Sequence, residues 1–430
     1  MPLFLDMTPL RVSAPYRRLW TGFTLSGIGT QLATTAIALQ VFEMTGSSFS
    51  VGLVGVFALV PIVVVGLYGG ALVDLHDRRT VALVGGVVLW GAAILNTVQA
   101  WAGNTNPWVL YLLVGLANAG YAVVSPARSS IYPRLLPPAL LPAANALNVG
   151  AMNAALTVGP LLAGVLIDAY GYTLTYAVDA VMFAFAMWGL LRLAPVPPLA
   201  PAGTAHAPEP RRRAPGLSSV LDGLRFLATR PNVRMTFLAD FCAMILAHPR
   251  ALFPAVALVA FGGGAATVGL MSAAIAVGAM AAMLFSGSLG SVVHQGRAVV
   301  VAVALWGVSI VGFGLAVLLA GRGIAPAQAL VVAAVCLACA GAADSVSSVF
   351  RNTILQSATP DHLRGRLQGV FVIVVAGGPR IGDVVSGSVA TLWNEWGAIV
   401  AGGVACVIAV LVLARWQRGF LAYDARHPTP

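Results

Sequence analysis

The residues that invite chemistry here are charged side chains set inside long apolar runs. Arg380 and Asp383 stand three apart within the run 366–391. On a helix that spacing puts them about 60° apart, so they can pair on one face. Such a pair fits two roles. It is a self-neutralising structural pair, or a site where protonating Asp383 frees Arg380 and exchanges a proton for a substrate. Asp240, His248 and Arg250 lie in the run 233–260. Asp240 suits a titrating carboxylate or an interhelix partner, and sits about 9 Å along the helix from Arg234 at about 1.5 Å per residue. His248 suits a packing histidine or a proton carrier. On a regular helix His248 and Arg250 point to opposite faces, unless Pro249 and Pro254 distort it. Asp344, seven residues before Arg351, suits pairing with an arginine. Asp179 is a weaker candidate, near one end of its run. Gln31, Asn96, Asn118, Tyr121 and Asn153 are candidates to line a substrate cavity, with Arg250 beside them, or to form interhelix hydrogen bonds.

These side chains need a scaffold that tolerates them. The chain has 430 residues, of which 59% are hydrophobic and only 9% charged. Its mean hydropathy is +0.89. A soluble domain cannot hide that much apolar surface, and an average soluble protein is about 25% charged. A soluble enzyme and a disordered chain are therefore excluded. The long unbroken apolar runs point to membrane helices and not to a barrel, whose strands would alternate. In hydrocarbon a charged side chain is costly, so each intramembrane charge is a functional hypothesis.

Twelve spans are legible, near 19–42, 49–73, 79–101, 107–128, 143–167, 173–193, 233–260, 266–290, 298–320, 325–349, 366–391 and 396–416. Gly103-Asn104-Thr105-Asn106-Pro107 marks a turn. Residues 194–216 hold seven prolines and Arg211 to Arg213, and cannot continue a helix. They predict a linker, followed by an amphipathic surface helix over 217–230. The expected division is 1–193 and 232–418 as two six-helix bundles, 194–231 as linker and 419–430 as tail. The 24 basic residues are all arginine. Their distribution favours one side by 21 to 1, which predicts cytoplasmic termini and linker. Six of the nine Trp fall near span ends, as an aromatic belt requires. Cys336-x-x-Cys339 lacks a second ligand pair and reads as helix packing, with no metal site expected.

The two halves repeat. Arg128-Ser-Ser-Ile131 aligns with Arg351-Asn-Thr-Ile354 at an offset of 223 residues. The same offset takes Pro137 to Pro360, Leu140 to Leu363, Gly159 to Gly382 and Gly164 to Gly387. Two similar bundles suggest a transporter with its site between them.

Near the end of the second span stands Gly70-Ala-Leu-Val-Asp74-Leu-His-Asp77-Arg78-Arg79. It resembles the loop signature of the major facilitator superfamily, G-x-x-x-D-x-x-G-R-K/R, with Asp77 in place of the second Gly. A cytoplasmic latch is expected from Gly70, Asp74, Arg78 and Arg79, with Arg128 and Arg351 across from it. The counterpart Gly290-Ser-Val-Val-His294-Gln-Gly-Arg297 has lost the acid, so the first latch is expected to be the stronger. Ser125-Pro-Ala-Arg128 through Pro137, with Pro360-Asp-His-Leu-Arg364-Gly365-Arg366, is similar to the branch of enterobactin exporters and multidrug efflux proteins. Gly159-Pro160-Leu-Leu-Ala163-Gly164 resembles an element of drug–proton antiporters and so implies export. The branch often has an acid after a glycine in the first span, where this chain has Thr30 and Gln31.

The resemblance implies an all-α, twelve-span secondary transporter in a bacterial inner membrane. It is expected to act as a monomer and not as an enzyme, exporting an amphipathic drug or siderophore against a proton gradient. No cofactor, metal or nucleic-acid partner is expected; the partners are the substrate and the bilayer. A nucleotide-binding G-x-x-x-x-G-K-[ST] loop is impossible without Lys. Import of a polar metabolite, or a sensor role without transport, are the alternatives.

Overall fold

The structure is a computed structural model that describes residues 6–197, 227, 229–284, 292–357, 361–424 and 426, with backbone alone for 67–74 and 361–376. Most of the expected linker and surface helix therefore lies outside the described residues, as do the terminal tail from 427 and part of the loop 290–297.

The described residues form long helices. They are α1 (Ala14–Thr45), α2 (Ser48–Leu75), α3 (Arg78–Trp101), α4 (Pro107–Leu135), α5 (Leu141–Leu191), α6 (Pro231–Phe241), α7 (Ala265–Leu284), α8 (Gln295–Ala320), α9 (Pro326–Ser357), α10 (Asp361–Leu392) and α11 (Glu395–Trp416). Helix α5 carries two spans, because Gly171 (φ 75°, ψ −177°) breaks it in the middle. That backbone conformation is open to glycine and strained for other residues. Among the described residues, these elements together with the broken segment after α6 make up the twelve spans that the sequence predicts.

Helix starts follow capping chemistry. Asp77 caps α3 by accepting from the Thr80 N–H at 2.9 Å. Asn106 caps α4 by accepting from the Trp108 N–H at 3.0 Å, with Pro107 at the first helical position. Asn394 caps α11 through the Gly397 N–H at 2.7 Å. The helix surfaces expose Val60, Val64, Leu112, Val181, Val331 and Ile408. In water that would be a fault; against lipid tails it is the required solvent match. Trp101, Trp108, Trp393 and Trp416 are exposed at helix ends, as the aromatic belt predicts.

The helices gather into two compact units. The first comprises Met1–Thr34, Phe57–Gly159 and Tyr170–Ser219. Its core is built on Tyr16, Leu19, Ala82, Ala127, Ile131 and Leu190. Tyr16 meets Tyr132 edge-on at 5.3 Å and donates its hydroxyl to the Ala144 carbonyl at 3.3 Å. The second unit comprises Thr35–Val56, Pro160–Ala169 and Val220–Pro430. In it, Gly307 and Gly403 bring α8 and α11 together, each position lying within 2.9 Å of the other's carbonyl oxygen if given a Cβ. Small residues at that contact let the backbones approach without side chains between them.

Candidate functional site

The expected seventh span is not a continuous helix. After α6 comes a π-helical turn over Cys242–Leu246, then an interruption at Ala247 to Pro249. A 3-10 turn over Arg250–Leu252, one α-turn over Phe253–Ala255 and a second π-turn over Val256–Ala260 follow. Pro249 and Pro254 remove backbone donors, so regular hydrogen bonding cannot continue through them. A π-turn and a broken ladder in a membrane helix leave carbonyls that need partners. Trp306 supplies one: its indole N–H donates to the Ala247 carbonyl at 3.2 Å. The distortion allowed for at the prolines is thus realised, and the simple opposite-face geometry of His248 and Arg250 does not apply. His248 is buried and Arg250 is exposed.

Helix α10 packs on this interruption through glycines. A Cβ at Gly382 would collide with the Met244 carbonyl oxygen and stand 2.9 Å from the His248 Cβ. At Gly378 it would meet the Met244 Cβ at 3.3 Å. Close packing there delivers Asp383 to His248, with Oδ1 at 3.7 Å from Nε2. His248, from another segment, therefore stands within ion-pairing distance of Asp383, a neighbour that the three-residue spacing to Arg380 did not reveal. The side chain of Asp383 is 21% exposed and that of His248 only 8%. In this pair two titratable groups meet at a backbone irregularity, a setting suited to holding and passing one proton.

A second constellation lies nearby in the same unit. Arg351 Nη1 stands 2.6 Å from Asp240 Oδ1, and Nη2 stands 3.3 Å from Asp344 Oδ1. Both Arg351 and Asp240 are buried. Of the two roles open to Asp240, interhelix pairing is the one its geometry displays, and the partner is Arg351. Arg234 instead lies over the Trp416 ring at 4.8 Å. Asp344 has its arginine within its own helix, as its spacing suggested.

In the first unit the loop between α2 and α3 is tied down by its arginines. Arg78 Nη1 donates to the Ser130 carbonyl at 3.3 Å, and Arg79 donates to the carbonyls of Leu190 and Leu191 at 3.2 and 2.9 Å. Asp77 stands where the superfamily signature has glycine because it caps α3. Of Gly70 and Asp74 only the backbone, within α2, is described. Arg128 sits over the Phe23 ring at 5.1 Å. Gly159 fits against α1, where a Cβ would stand 2.9 Å from the Ile28 carbonyl and press on Gln31. Asn118 donates to the Val114 carbonyl at 2.8 Å, and Asn153 accepts from Thr157 at 3.0 Å through its carbonyl. Tyr121 is exposed, while Gln31, Asn118 and Asn153 are half-buried.

The internal repeat reappears in the second unit as paired close contacts. The offset of 223 that takes Gly159 to Gly382 also takes Pro160 to Asp383 and Gly164 to Gly387. An offset of 217 takes Ser48 to Ala265 and Gly52 to Gly269. Gly52 packs on the Asp383 carbonyl, and Gly269 packs on that of Pro160. Gly387 lies against Ser48, and Gly164 against Ala265 and Ala266. Two glycine-mediated helix contacts, α2 with α10 and α5 with α7, are therefore copies of one design. Their sequence signal is the matched Gly52 and Gly269, which individual motif reading passes over.

One element of this design is not duplicated. Asp168 caps α7 from α5, its Oδ1 accepting from the Ala265 N–H and its Oδ2 from the Ala266 N–H, both at 3.0 Å. A carboxylate at a helix N-terminus satisfies orphan donors and meets the positive end of the helix dipole. Asp168→Ala removes a cap worth about 1 kcal/mol. Hydrogen exchange at Ala265 and Ala266 is then expected to rise about fivefold, while exchange in the α8–α11 contact stays unchanged. Mass spectrometry of the corresponding peptides reads both.

Comparison with known proteins adds a frame to this geometry. The family described as transmembrane secretion effector matches residues 6–424. The chain is 27% identical over 410 residues to the enterobactin exporter EntS of Citrobacter koseri, covering 95% of this chain and 93% of that one. It is 26% identical over 412 residues to EntS of Salmonella typhimurium, covering 95% and 94%. Among solved structures it is similar to a POT family transporter, with a TM-score of 0.72, 11% identity and coverage of 95% and 97%. It is also similar to a bacterial homologue of the iron transporter ferroportin in an inward-facing state, with a TM-score of 0.66, 15% identity and coverage of 94% and 98%.

Proposed function

We propose a function from one fact: the chain belongs to the transmembrane secretion effector family of major facilitator transporters. It is a multi-pass membrane transporter and not an enzyme. Within that class its task is the export of amphipathic small molecules, driven by protons moving inward through alternating access. The observation that carries this reading is the Asp383–His248 pair at the interrupted segment, 3.7 Å apart. A half-buried carboxylate beside a buried imidazole can take up or release one proton, which changes the net charge at the interrupted backbone. Charge inside a membrane is costly, so each protonation state favours a different packing of α10 on the break. A change in favoured packing is what couples proton movement to alternation between two states.

The charge pattern also favours one substrate class. Asp240 and Asp344, which would suit a cation, are both engaged by Arg351. Arg250 is exposed on its 3-10 turn and can face an anion. The preferred cargo is therefore an acidic amphipathic molecule, in line with a siderophore of the enterobactin kind. The arginine distribution supports a bacterial inner membrane orientation with cytoplasmic termini, and a single chain suffices for the cycle.

Inside-out vesicles containing the overproduced protein test this. A proton gradient is set up, and enterobactin or cationic dyes are added. Gradient collapse with enterobactin in wild type, lost in Asp383→Asn, is expected. Equal collapse in both proteins removes Asp383 from proton coupling. No collapse with any compound, while the protein remains folded, overturns proton-driven export and leaves uptake as the activity.

A further inference from the structure

The first unit holds a buried acid that this scheme leaves unused. Asp179, in the second arm of α5, is 3% exposed. Its Oδ1 has no hydrogen-bond partner, and no cation lies within ion-pairing distance among the described residues. It is not surrounded by water either, because α1 closes over it at Gly29. A methyl group at Gly29 would stand 3.3 Å from the Asp179 Cα and collide with Oδ1. Glycine at this point is what lets the helix backbone lie directly on the carboxyl group. At the next residue, Trp90 of α3 donates to the Ala180 carbonyl at 2.9 Å and fixes the helix that carries Asp179.

The charged groups of the packed helices lie elsewhere. Helix α1 carries Arg17, Arg18 and Glu43 near its ends, with Tyr16 beside them. Helix α3 carries only Arg78 and Arg79, both at its start. Helix α4, which packs Val124 beside Phe183, carries Tyr111, Tyr121, Arg128, Tyr132 and Arg134. On α5 itself the neighbouring titratable group is Tyr176, fully buried one turn earlier, with Tyr172, Tyr170, Asp168 and Arg192 farther along. None of the described ion pairs includes Asp179.

A carboxylate anion buried without a cation or a donor is unfavourable by several kcal/mol in any apolar medium, and a neutral acid is not. We propose that Asp179 is a second proton-binding site, which holds its proton while Gly29 is packed on it and releases it when α1 moves away. Gly29 lies shortly before Thr35, where α1 passes into the other compact unit. A displacement of the Gly29 turn of α1 from α5 would uncover Asp179. Deprotonation would make the closed packing untenable, and closure would require proton uptake. This deepens the proton-coupled reading and rests on it, but its test needs no transport.

Infrared spectroscopy on the full-length protein in lipid, titrated with alkali, reads the carboxylic acid C=O stretch directly. The expected result is one acid band that bleaches as pH rises, is lost in Asp179→Asn and persists in Asp383→Asn. Retention of every titrating band in Asp179→Asn overturns the proposal, as does an acid band that stays constant across the titration. Should Asp179→Asn not fold, dicyclohexylcarbodiimide supplies the test in wild type, because it modifies protonated carboxyls in apolar surroundings. Labelling of Asp179 that declines as pH rises supports the site. Labelling of Asp383 without Asp179 at any pH overturns it and leaves proton coupling at Asp383 intact.

Discussion

Arg351→Gln is expected to destabilise the second unit by about 3–5 kcal/mol, enough to abolish accumulation of folded protein. The reason is not the loss of an attraction alone. Arg351 and Asp240 are each only 4% exposed, with Arg351 also touching Asp344. Removing the guanidinium leaves the buried Asp240 carboxylate without its cation, beside the partly exposed Asp344. An uncompensated buried charge costs more than the pair was worth. The same argument predicts the rescue. Arg351→Gln combined with Asp240→Asn and Asp344→Asn leaves no net charge, and stability should return close to that of the wild type. Arg351→Lys should fall between, because one ammonium cannot address both carboxylates in the fork geometry of arginine. Thermal unfolding of the four purified proteins in detergent gives the order. A single Arg351→Gln protein as stable as wild type would mean that the triad contributes nothing.

Gly382→Val should abolish transport while leaving the rest of the fold in place. Even a single Cβ at 382 meets the Met244 carbonyl and comes within 2.9 Å of the His248 Cβ. Both contacts belong to the interrupted segment, and one is backbone, so no side-chain rotation relieves them. Overpacking of this kind costs about 1–3 kcal/mol, and the relaxation available is to push α10 off the break. That separates Asp383 from His248. Gly378→Ala is the matched control: its Cβ meets only the Met244 Cβ, at 3.3 Å. Substrate-driven proton flux in vesicles should be lost in Gly382→Val and largely kept in Gly378→Ala. Equal flux in both would show that close packing on the interruption is not required.

The two predictions concern residues whose presence was legible but whose partners were not. Asp240, His248, Asp344, Arg351, Arg380 and Asp383 all stand out in the chain, because a charge within an apolar run is conspicuous by composition alone. Pairing them is a different problem. Spacing along one helix suggested Arg380 for Asp383 and left Asp240 near Arg234. The neighbours that the structure adds, His248 for Asp383 and Arg351 for Asp240, come from other segments, and local periodicity carries no information about which helix faces which. Asp344 with Arg351 is the exception, because both residues lie on α9.

The interruption in the seventh span was half legible. Pro249 and Pro254 announce that a regular helix cannot persist. They do not announce π-turns on either side, or that Trp306 reaches in to satisfy the Ala247 carbonyl. Asp179 was visible as an acid but not as a site, since its meaning depends on what covers it. Gly29 and Asp179 are far apart in the chain and touch only because α1 packs on α5.

By itself the sequence determined the membrane class, the twelve helical spans, the internal repeat and the family. Each is a property of composition or of short-range pattern, and each is dictated by the requirement that backbone polar groups be satisfied within a segment when lipid is the solvent. Tertiary structure alone decided which charges neutralise one another, where glycine backbones touch, and that α1, α2 and α5 each contribute to two compact units. Those outcomes depend on the three-dimensional neighbours of a residue. In a helical membrane protein, packing contacts of a few ångströms choose those neighbours, with no hydrophobic drive from water to bias the choice.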